Sequence, residues 1–152
     1  MPDTFTYVTY VRTMPEKLWD ALTKPEFTRA YWCECWHDTT WQPGSSWKLM
    51  IPDGRVGDAG EVIECDKPKR LVLKWRNEFL PGMREEGYSL CTFELAPIQG
   101  SVRLAITHTA EKSPSQFIAA VSEGWPMILS SLKSLIETGQ SLDHTRKWPE
   151  NL

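Results

Sequence analysis

The sequence predicts an α+β fold in which a curved antiparallel sheet wraps around a long C-terminal helix. Several runs of β-branched and aromatic residues alternate with polar residues, and turn strings such as PDG and PIQG separate them, which is typical of an antiparallel meander. Near the C-terminus, apolar residues recur at helical spacing and predict an amphipathic helix. Because an open sheet must bury its apolar face, we expect this helix to cover it.

The N-terminal part of the chain predicts one strand and two short helices. Residues 5–12 alternate aromatic and β-branched residues with threonine, which is the period of a strand. The strings TMPE and TKPE each place a glutamate three residues after a threonine, as a capping box does. We therefore expect Thr13 and Thr23 to be the N-caps of two short helices that lie across one edge of the sheet.

The middle of the chain predicts a loop and five more strands. Residues 32–46 show neither a helical nor a strand period and contain a Pro43-Gly44 turn signal, so they predict an aromatic-rich loop. The strands are predicted at residues 46–51, 61–66, 70–76, 88–95 and 101–109. Their alternation gives one apolar and one solvated face. The residues predicted to face inward include Leu71, Leu73, Trp75, Cys91, Phe93, Leu95, Val102, Leu104, Ile106 and His108.

The C-terminal helix is predicted from its apolar stripe, and Gly139 stands where a C′ residue belongs. Pro126 has no N–H to donate, so with Gly124 it marks either the start of the helix or a kink, and both remain open. Residues 140–152 are polar and predict a mobile or loosely docked tail, which leaves one domain over residues 1–139. The apolar stripe consists of Ile118, Val121, Trp125, Ile128, Leu129, Leu132, Leu135 and Ile136.

Composition excludes several classes of protein. With 152 residues, 41% hydrophobic and 24% charged, the chain has the composition of a globular protein rather than a disordered one. A net charge of -3 provides no basic surface for a phosphate backbone, so we predict no nucleic-acid partner. There is neither a signal-peptide pattern nor an apolar run of about 20 residues, which predicts a cytoplasmic protein without membrane contact. Its four cysteines are then expected to be free thiols.

Common catalytic signatures are missing, including GxSxG, HExxH, GxGxxG and the phosphate-binding loop. Cys33, Cys35 and His37 bring thiols and an imidazole together, but their spacing is not that of a zinc site. We predict free thiols, a surface His37, no metal and no cofactor. His108 continues the inward row of the last strand, where it is either a hydrogen-bonded core residue or a contact to a ligand. No catalytic residue is predicted.

Five strings carry a resemblance to a known family: RTMPEKLWDALTKPEFTRAYW, PGSSWKL, PDGRVGDAGEVIECDKPKRLVLKW, CTFELAPIQGSVRLAITHT and EGWPMILSSLKSLIETG. In order and spacing they resemble the activator of heat-shock protein 90 ATPase homologue-like family, within the SRPBCC or START-like helix-grip superfamily. The resemblance implies a β-α-α-β-meander-α architecture whose sheet grips the last helix around a cavity. Members of the superfamily bind lipids, sterols, polyketides or plant hormones, and a minority are cyclases, aromatases or hydrolases.

The resemblance and the eight tryptophans together favour a protein that binds a small hydrophobic molecule, lipid-like or polyketide-like and aromatic. A cyclase or hydrolase that uses His108 or an inward glutamate is one alternative. A homodimer or a chaperone-contacting module, with the aromatic loop as its surface, is another. We expect Trp32 or Trp36 at the cavity mouth. The predicted ligand-binding residues are Trp32, Trp47, Trp75, Phe79, Tyr88, Phe93, His108, Trp125, Ile128 and Leu129.

Overall fold

Seven strands form one antiparallel sheet in the computed structural model, which describes residues 3–152. The order across the sheet is β1-β7-β6-β5-β4-β3-β2, so consecutive strands are neighbours except where β1 pairs with β7. The strands are β1 Asp3–Val11, β2 Trp36–Asp38, β3 Ser46–Met50, β4 Val56–Asp66, β5 Arg70–Asn77, β6 Ser89–Ile98 and β7 Ser101–Ala110. The helices are α1 Pro15–Thr23, α2 Pro25–Tyr31, α3 Pro81–Glu85 and α4 Gln116–Thr138.

The predicted fold class is confirmed. The sheet is curved, two short helices follow β1, and the 23-residue α4 lies against the inner face. Every residue predicted to face inward from β5, β6 and β7 is buried, because alternate side chains of a strand point to opposite faces. The core therefore lies between this face and the apolar side of α4.

The two short helices begin one residue later than predicted, and the capping boxes are absent. Met14 and Lys24 are the extended N-cap residues, and neither side chain caps its helix. Pro15 and Pro25 follow as the first residues of the helices, where the fixed φ of proline suits a helix. The proline ring also keeps the preceding residue in an extended conformation, because a helical one would clash with it. The hydroxyl of Thr23 instead donates to the Trp19 carbonyl oxygen at 2.8 Å, within the preceding helix.

The segment predicted as a loop contains the edge strand β2, which corrects that prediction for three residues. Trp36 pairs with Met50 and His37 pairs with Leu49 on β3. His37 is buried, so the predicted surface position is wrong. A strand of three residues is too short for its period to be read from the sequence.

The structure of α4 shows whether Pro126 starts the helix or lies within it. The helix runs without interruption from Gln116, so Pro126 lies in its interior and does not start it. Ser115 is the N-cap, and its hydroxyl oxygen accepts from the Ile118 N–H at 3.0 Å. Gly139 ends the helix in the left-handed conformation, with φ of 86°, as predicted.

The tail, residues 140–152, folds back against the rest of the chain. The Leu142 N–H donates to the Ser131 hydroxyl at 2.8 Å, and the Thr145 carbonyl oxygen accepts from the Cys33 N–H at 2.7 Å. Trp148 packs edge-on against Phe79, with ring centroids 5.4 Å apart. The tail therefore covers the open end between α4 and the sheet.

Of the glycines, Gly60 leaves the least space for a side chain, because the backbone of β5 lies directly against it. A Cβ atom at this position would lie 1.7 Å from the Lys74 carbonyl oxygen, which is a fixed backbone atom of the paired strand. We expect Gly60→Ala to lower the free energy of unfolding by about 3 kcal/mol or more, since the strands must separate. Urea denaturation measures this. Gly82→Ala is the control, because its Cβ meets only the flexible Gln116 side chain at 3.3 Å; equal stability of the two variants would contradict the prediction.

Candidate ligand-binding site

A pocket of about 360 Å³ lies between strands β3 to β5, helix α4 and the tail. Aromatic and aliphatic side chains form most of its wall, together with one carboxyl group, Asp58. The first half of α4, including Gly124, forms one side, and residues of the tail form the mouth. The apolar lining comprises Trp32, Leu49, Trp75, Phe79, Leu80, Met83, Phe117, Ala120, Val121, Trp125, Met127, Ile128, Trp148, Pro149 and Leu152.

The structure brings five of the predicted binding residues together at this pocket. Trp32, Trp75, Phe79, Trp125 and Ile128 all lie in its wall. The Trp75 and Trp125 ring centroids are 5.8 Å apart, and Trp32 contacts Trp125 at 5.3 Å. Trp32 comes from the C-terminal end of α2, so it is this residue, rather than Trp36, that reaches the pocket.

The other five predicted residues do not line the pocket. Trp47, Phe93, His108 and Leu129 are fully or almost fully buried in the core behind it. Tyr88 is 41% exposed on the outer face of the sheet.

Tyr88 has cationic neighbours where it lies. The Lys74 ammonium stands 4.6 Å from its ring centroid, and the Arg76 guanidinium stands 4.7 Å away. Trp36 likewise has a cation above it, the Arg29 guanidinium at 5.3 Å. Both rings therefore lie at the solvated surface, in contact with cations, rather than in the pocket.

Asp58 is one of several pocket residues that the sequence interpretation missed, and it is the acidic side chain among the lining residues that the structure describes. It is 8% exposed and lies on β4, opposite Leu49 of β3 and Asn77 of β5. Burial raises the pKa of the Asp58 carboxyl to about 7, and the negative charge of Glu78 acts in the same direction. The indole N–H of Trp75 and the amide of Asn77 partly oppose this rise in pKa.

The polar neighbours of Asp58 are only partly satisfied. Asn77 Oδ1 accepts from the Leu80 N–H at 2.9 Å, which leaves its amide N–H groups for the carboxyl. The Trp75 indole N–H is close enough to lower the Asp58 pKa, yet it has no hydrogen-bond partner of good geometry in the described structure. A buried donor without a partner is uncommon and marks a place where a further acceptor would be stabilising.

A signal for Asp58 was present in the sequence. The predicted strand began at residue 61, whereas β4 begins at Val56. Extending the alternation backward from the buried Val62 places Gly60 and then Asp58 on the inner face. The glycines around Asp58 obscured this because they lower the β propensity of the segment.

Two buried histidine–tryptophan pairs support the wall of the pocket. The indole N–H of Trp47 donates to His37 Nδ1 at 3.0 Å, and the Trp125 N–H donates to His108 Nδ1 at 3.2 Å. An indole nitrogen can only donate, so each Nδ1 is unprotonated and each Nε2 carries the hydrogen. His37 Nε2 donates to the Leu22 carbonyl oxygen at 3.0 Å.

His108 is held as a neutral structural residue. Its Nε2–H donates to the Ser89 hydroxyl oxygen at 2.9 Å, and that hydroxyl donates to the Trp75 carbonyl oxygen at 3.0 Å. Burial lowers the pKa of His108 to about 3 and that of His37 to about 4. With both ring nitrogens occupied, His108 has no position free for a substrate proton.

The four cysteines are free thiols. Among residues 3–152, no cluster of three or more histidine, cysteine or acidic side chains is arranged to hold a metal ion. Over the same residues, the helices are too short or too polar to cross a membrane.

Comparison with known proteins identifies the family. The family model described as Activator of Hsp90 ATPase homolog 1-like protein matches residues 12–137. The chain belongs to this family. The match includes strands β2 to β7 and nearly all of α4, and it leaves out β1 and the tail.

Solved structures share the fold at low sequence identity. Protein MLL2253 from Mesorhizobium loti is 23% identical, with a TM-score of 0.75 over 89% of this chain and 97% of that one. The Aha1 dimer from Colwellia psychrerythraea is 19% identical, with a TM-score of 0.71 over 91% and 99% of the two chains. An HSP90 activator from Plasmodium falciparum is 21% identical, with a TM-score of 0.70 over 87% and 94%. No curated protein sequence matches the chain.

Ser89 links the His108 pair to the sheet and provides a test of its structural role. Ser89→Ala leaves the buried Nε2–H of His108 without an acceptor, so we expect a loss of about 1 to 3 kcal/mol in the free energy of unfolding. Urea denaturation at neutral pH measures the loss. Ser46→Ala, at an exposed position of β3, is the control and is expected to change stability by less than about 0.5 kcal/mol. If Ser89→Ala left the free energy of unfolding unchanged, the hydrogen bond from His108 to this hydroxyl would not contribute to stability.

The raised pKa of Asp58 predicts that the stability of the protein depends on pH. Between about pH 4 and pH 7 the folded protein keeps the Asp58 proton that the unfolded chain has released, so stability falls as pH rises through this range. Asp58→Asn removes the effect, and the variant should be more stable than the wild type at about pH 8 by on the order of 1 to 4 kcal/mol. At about pH 4 the difference should largely vanish, because both proteins are then neutral at this position.

Chemical denaturation at the two pH values tests this expectation. Glu61→Gln is the matched control, since it removes a carboxylate from the exposed side of the same strand. A loss of stability in Asp58→Asn at the higher pH would show that the carboxylate is well solvated or well paired instead.

Proposed function

We propose that the protein binds a small, mostly apolar molecule in the pocket between β3 to β5, α4 and the tail, with Asp58 as its principal polar contact. One observation carries the proposal. A buried carboxyl stands in an aromatic wall beside a Trp75 N–H that no protein atom accepts. Apolar pockets with a few convergent polar groups are the usual form of small-molecule sites.

The size and lining of the pocket support the same proposal. Its volume of about 360 Å³ is near the lower end of the range of about 300 to 1,000 Å³ typical of ligand pockets. Six tryptophan and phenylalanine rings in the wall can bury a flat or compact apolar ligand. The tail would close over that ligand, and we propose that residues 3–139 and this tail work as one binding unit. With its four free thiols, we place the protein in the cytoplasm, where thiols remain reduced.

Catalysis by Asp58 is a second candidate function. A carboxyl with a pKa near 7 in a water-poor pocket can donate and accept a proton at neutral pH. The hydrolase or cyclase alternative based on His108 is not favoured, because both of its nitrogens are occupied. No glutamate lines the pocket within the described residues. An activity lost in Asp58→Asn while ligand affinity is kept would favour this candidate over simple binding.

A protein partner is a third candidate, supported by the names of two similar structures, a dimer and an HSP90 activator. The free edge of β1 is partly covered, since Lys133 donates to the Tyr10 carbonyl oxygen and Glu137 accepts from the Arg12 N–H at 2.8 Å. A partner would then use the outer sheet face, where Val8, Tyr10 and Leu90 are exposed. Light scattering tests for a homodimer.

The pocket can be filled from α4 without disturbing the core. Gly124 lines the pocket, and a Cβ atom added there meets no atom within 4 Å. We expect Gly124→Phe to abolish binding by placing a ring in the pocket while helix propensity improves relative to glycine. The probe is adamantanemethanol, a compact neutral alcohol without absorbance in the tryptophan region, and binding is followed by calorimetry and tryptophan fluorescence.

Gly124→Ala is the matched control, because its methyl group leaves the pocket open and should raise stability by about 0.5 to 1 kcal/mol. Binding to the wild type and to Gly124→Ala, with loss in a folded Gly124→Phe, supports the pocket as the site. Binding that survives Gly124→Phe places the ligand elsewhere. No binding to the wild type would remove the support for this function.

A further inference from the structure

We propose that the pocket selects hydrophobic amines, with the Asp58 carboxylate pairing with the ammonium group of the ligand. This inference rests on the proposed function and specifies its ligand class. It follows from the signs and positions of the charges around the pocket and from the chemistry of its walls.

Formal charge at the pocket wall is negative. Asp58 is the one acidic side chain among the lining residues within the described structure, and neither lysine nor arginine is among them. His144, on the exposed tail, and Cys33 are the other titratable side chains among the described lining residues, and burial raises the pKa of the Cys33 thiol so that it stays neutral. A ligand carboxylate would therefore meet a like charge with no cation in the wall to offset it.

A cation that contacts two residues of the mouth, Phe79 and Leu152, is already engaged. The Arg55 guanidinium donates to Asp53 Oδ2 at 2.8 Å and to the Leu152 carbonyl oxygen at 2.8 Å. It also stands 6.0 Å from the Phe79 ring centroid. Arg55 therefore holds the tail against the mouth and is not free to pair with an anionic ligand.

The walls favour a cation as well. Trp32, Trp75, Phe79, Trp125 and Trp148 surround the pocket, and the negative face of an aromatic ring attracts ammonium groups. The Asn77 amide lies close enough to the carboxyl to lower its pKa and would help to hold the carboxylate in place. A buried charge is costly when unpaired, and a ligand cation would supply the missing partner of Asp58.

Three probes separate the effect of ligand charge on affinity from the effect of ligand shape, because they share the adamantane skeleton and differ in charge. They are adamantanemethylamine, adamantanemethanol and adamantanecarboxylate. Calorimetry at about pH 8, where the wild-type carboxyl is largely ionised, compares their affinities. We expect the amine to bind at least about tenfold more tightly than the alcohol, and the carboxylate to bind most weakly. In Asp58→Asn the amine and the alcohol should bind with similar affinity, while Glu61→Gln should keep the full preference because that carboxylate faces solvent.

The outcomes distinguish this inference from the proposed function. An amine preference that is lost in Asp58→Asn and kept in Glu61→Gln supports the inference. Equal binding of amine and alcohol to the wild type, or a preference that survives Asp58→Asn, overturns it while the binding function stands. Tightest binding of the carboxylate also overturns it. If none of the three probes binds the wild type, the binding function fails and the inference fails with it.

Discussion

The contact of Trp125 with the sheet is the interaction on which the rest of the structure depends. Its indole packs against Trp32, Trp75 and Phe93, and its N–H donates to His108 on β7. A hydrogen bond between buried groups has a defined direction, so it fixes the rotation of α4 as well as its distance from the sheet. That rotation turns Gly124 and Ile128 toward the pocket, so the same contact that anchors the helix also sets the shape of the site.

The pocket lies beside the turn of α4 that contains Gly124 and Pro126. Gly124 has no side chain, and Pro126 lacks the N–H that an inner helical turn would use. Large rings on both sides cannot collapse into the space left by Gly124, because Trp75 and Trp125 are held by other packing contacts. The tail lies over the opening, and there Trp148 packs against Phe79 although the segment is mainly polar.

Periodicity was sufficient to predict the sheet apart from β2, the long helix and part of the pocket wall. Trp75 and Trp125 follow from alternation and helical spacing, since each belongs to a run long enough to show its period. The same alternation places Tyr88 with Thr92 and Glu94 on the outer face, where the structure has it. His37 could not be placed, because β2 has three residues and is defined by pairing with β3. Asp58 was hidden among glycines at the start of a strand that extends further than its β-branched residues indicate.

The buried ionisable groups fall into two kinds that respond oppositely to pH. His37 and His108 have lowered pKa values, so they stabilise the fold above about pH 6.5 and lose that contribution as pH falls toward 4 and 3. Asp58 has a raised pKa and opposes stability as pH rises toward 7. The histidines are enclosed by protein donors and acceptors, whereas Asp58 is open to the pocket. Of these three groups, Asp58 alone is therefore placed to exchange a proton with a molecule in the pocket, which is why the proposed function depends on it.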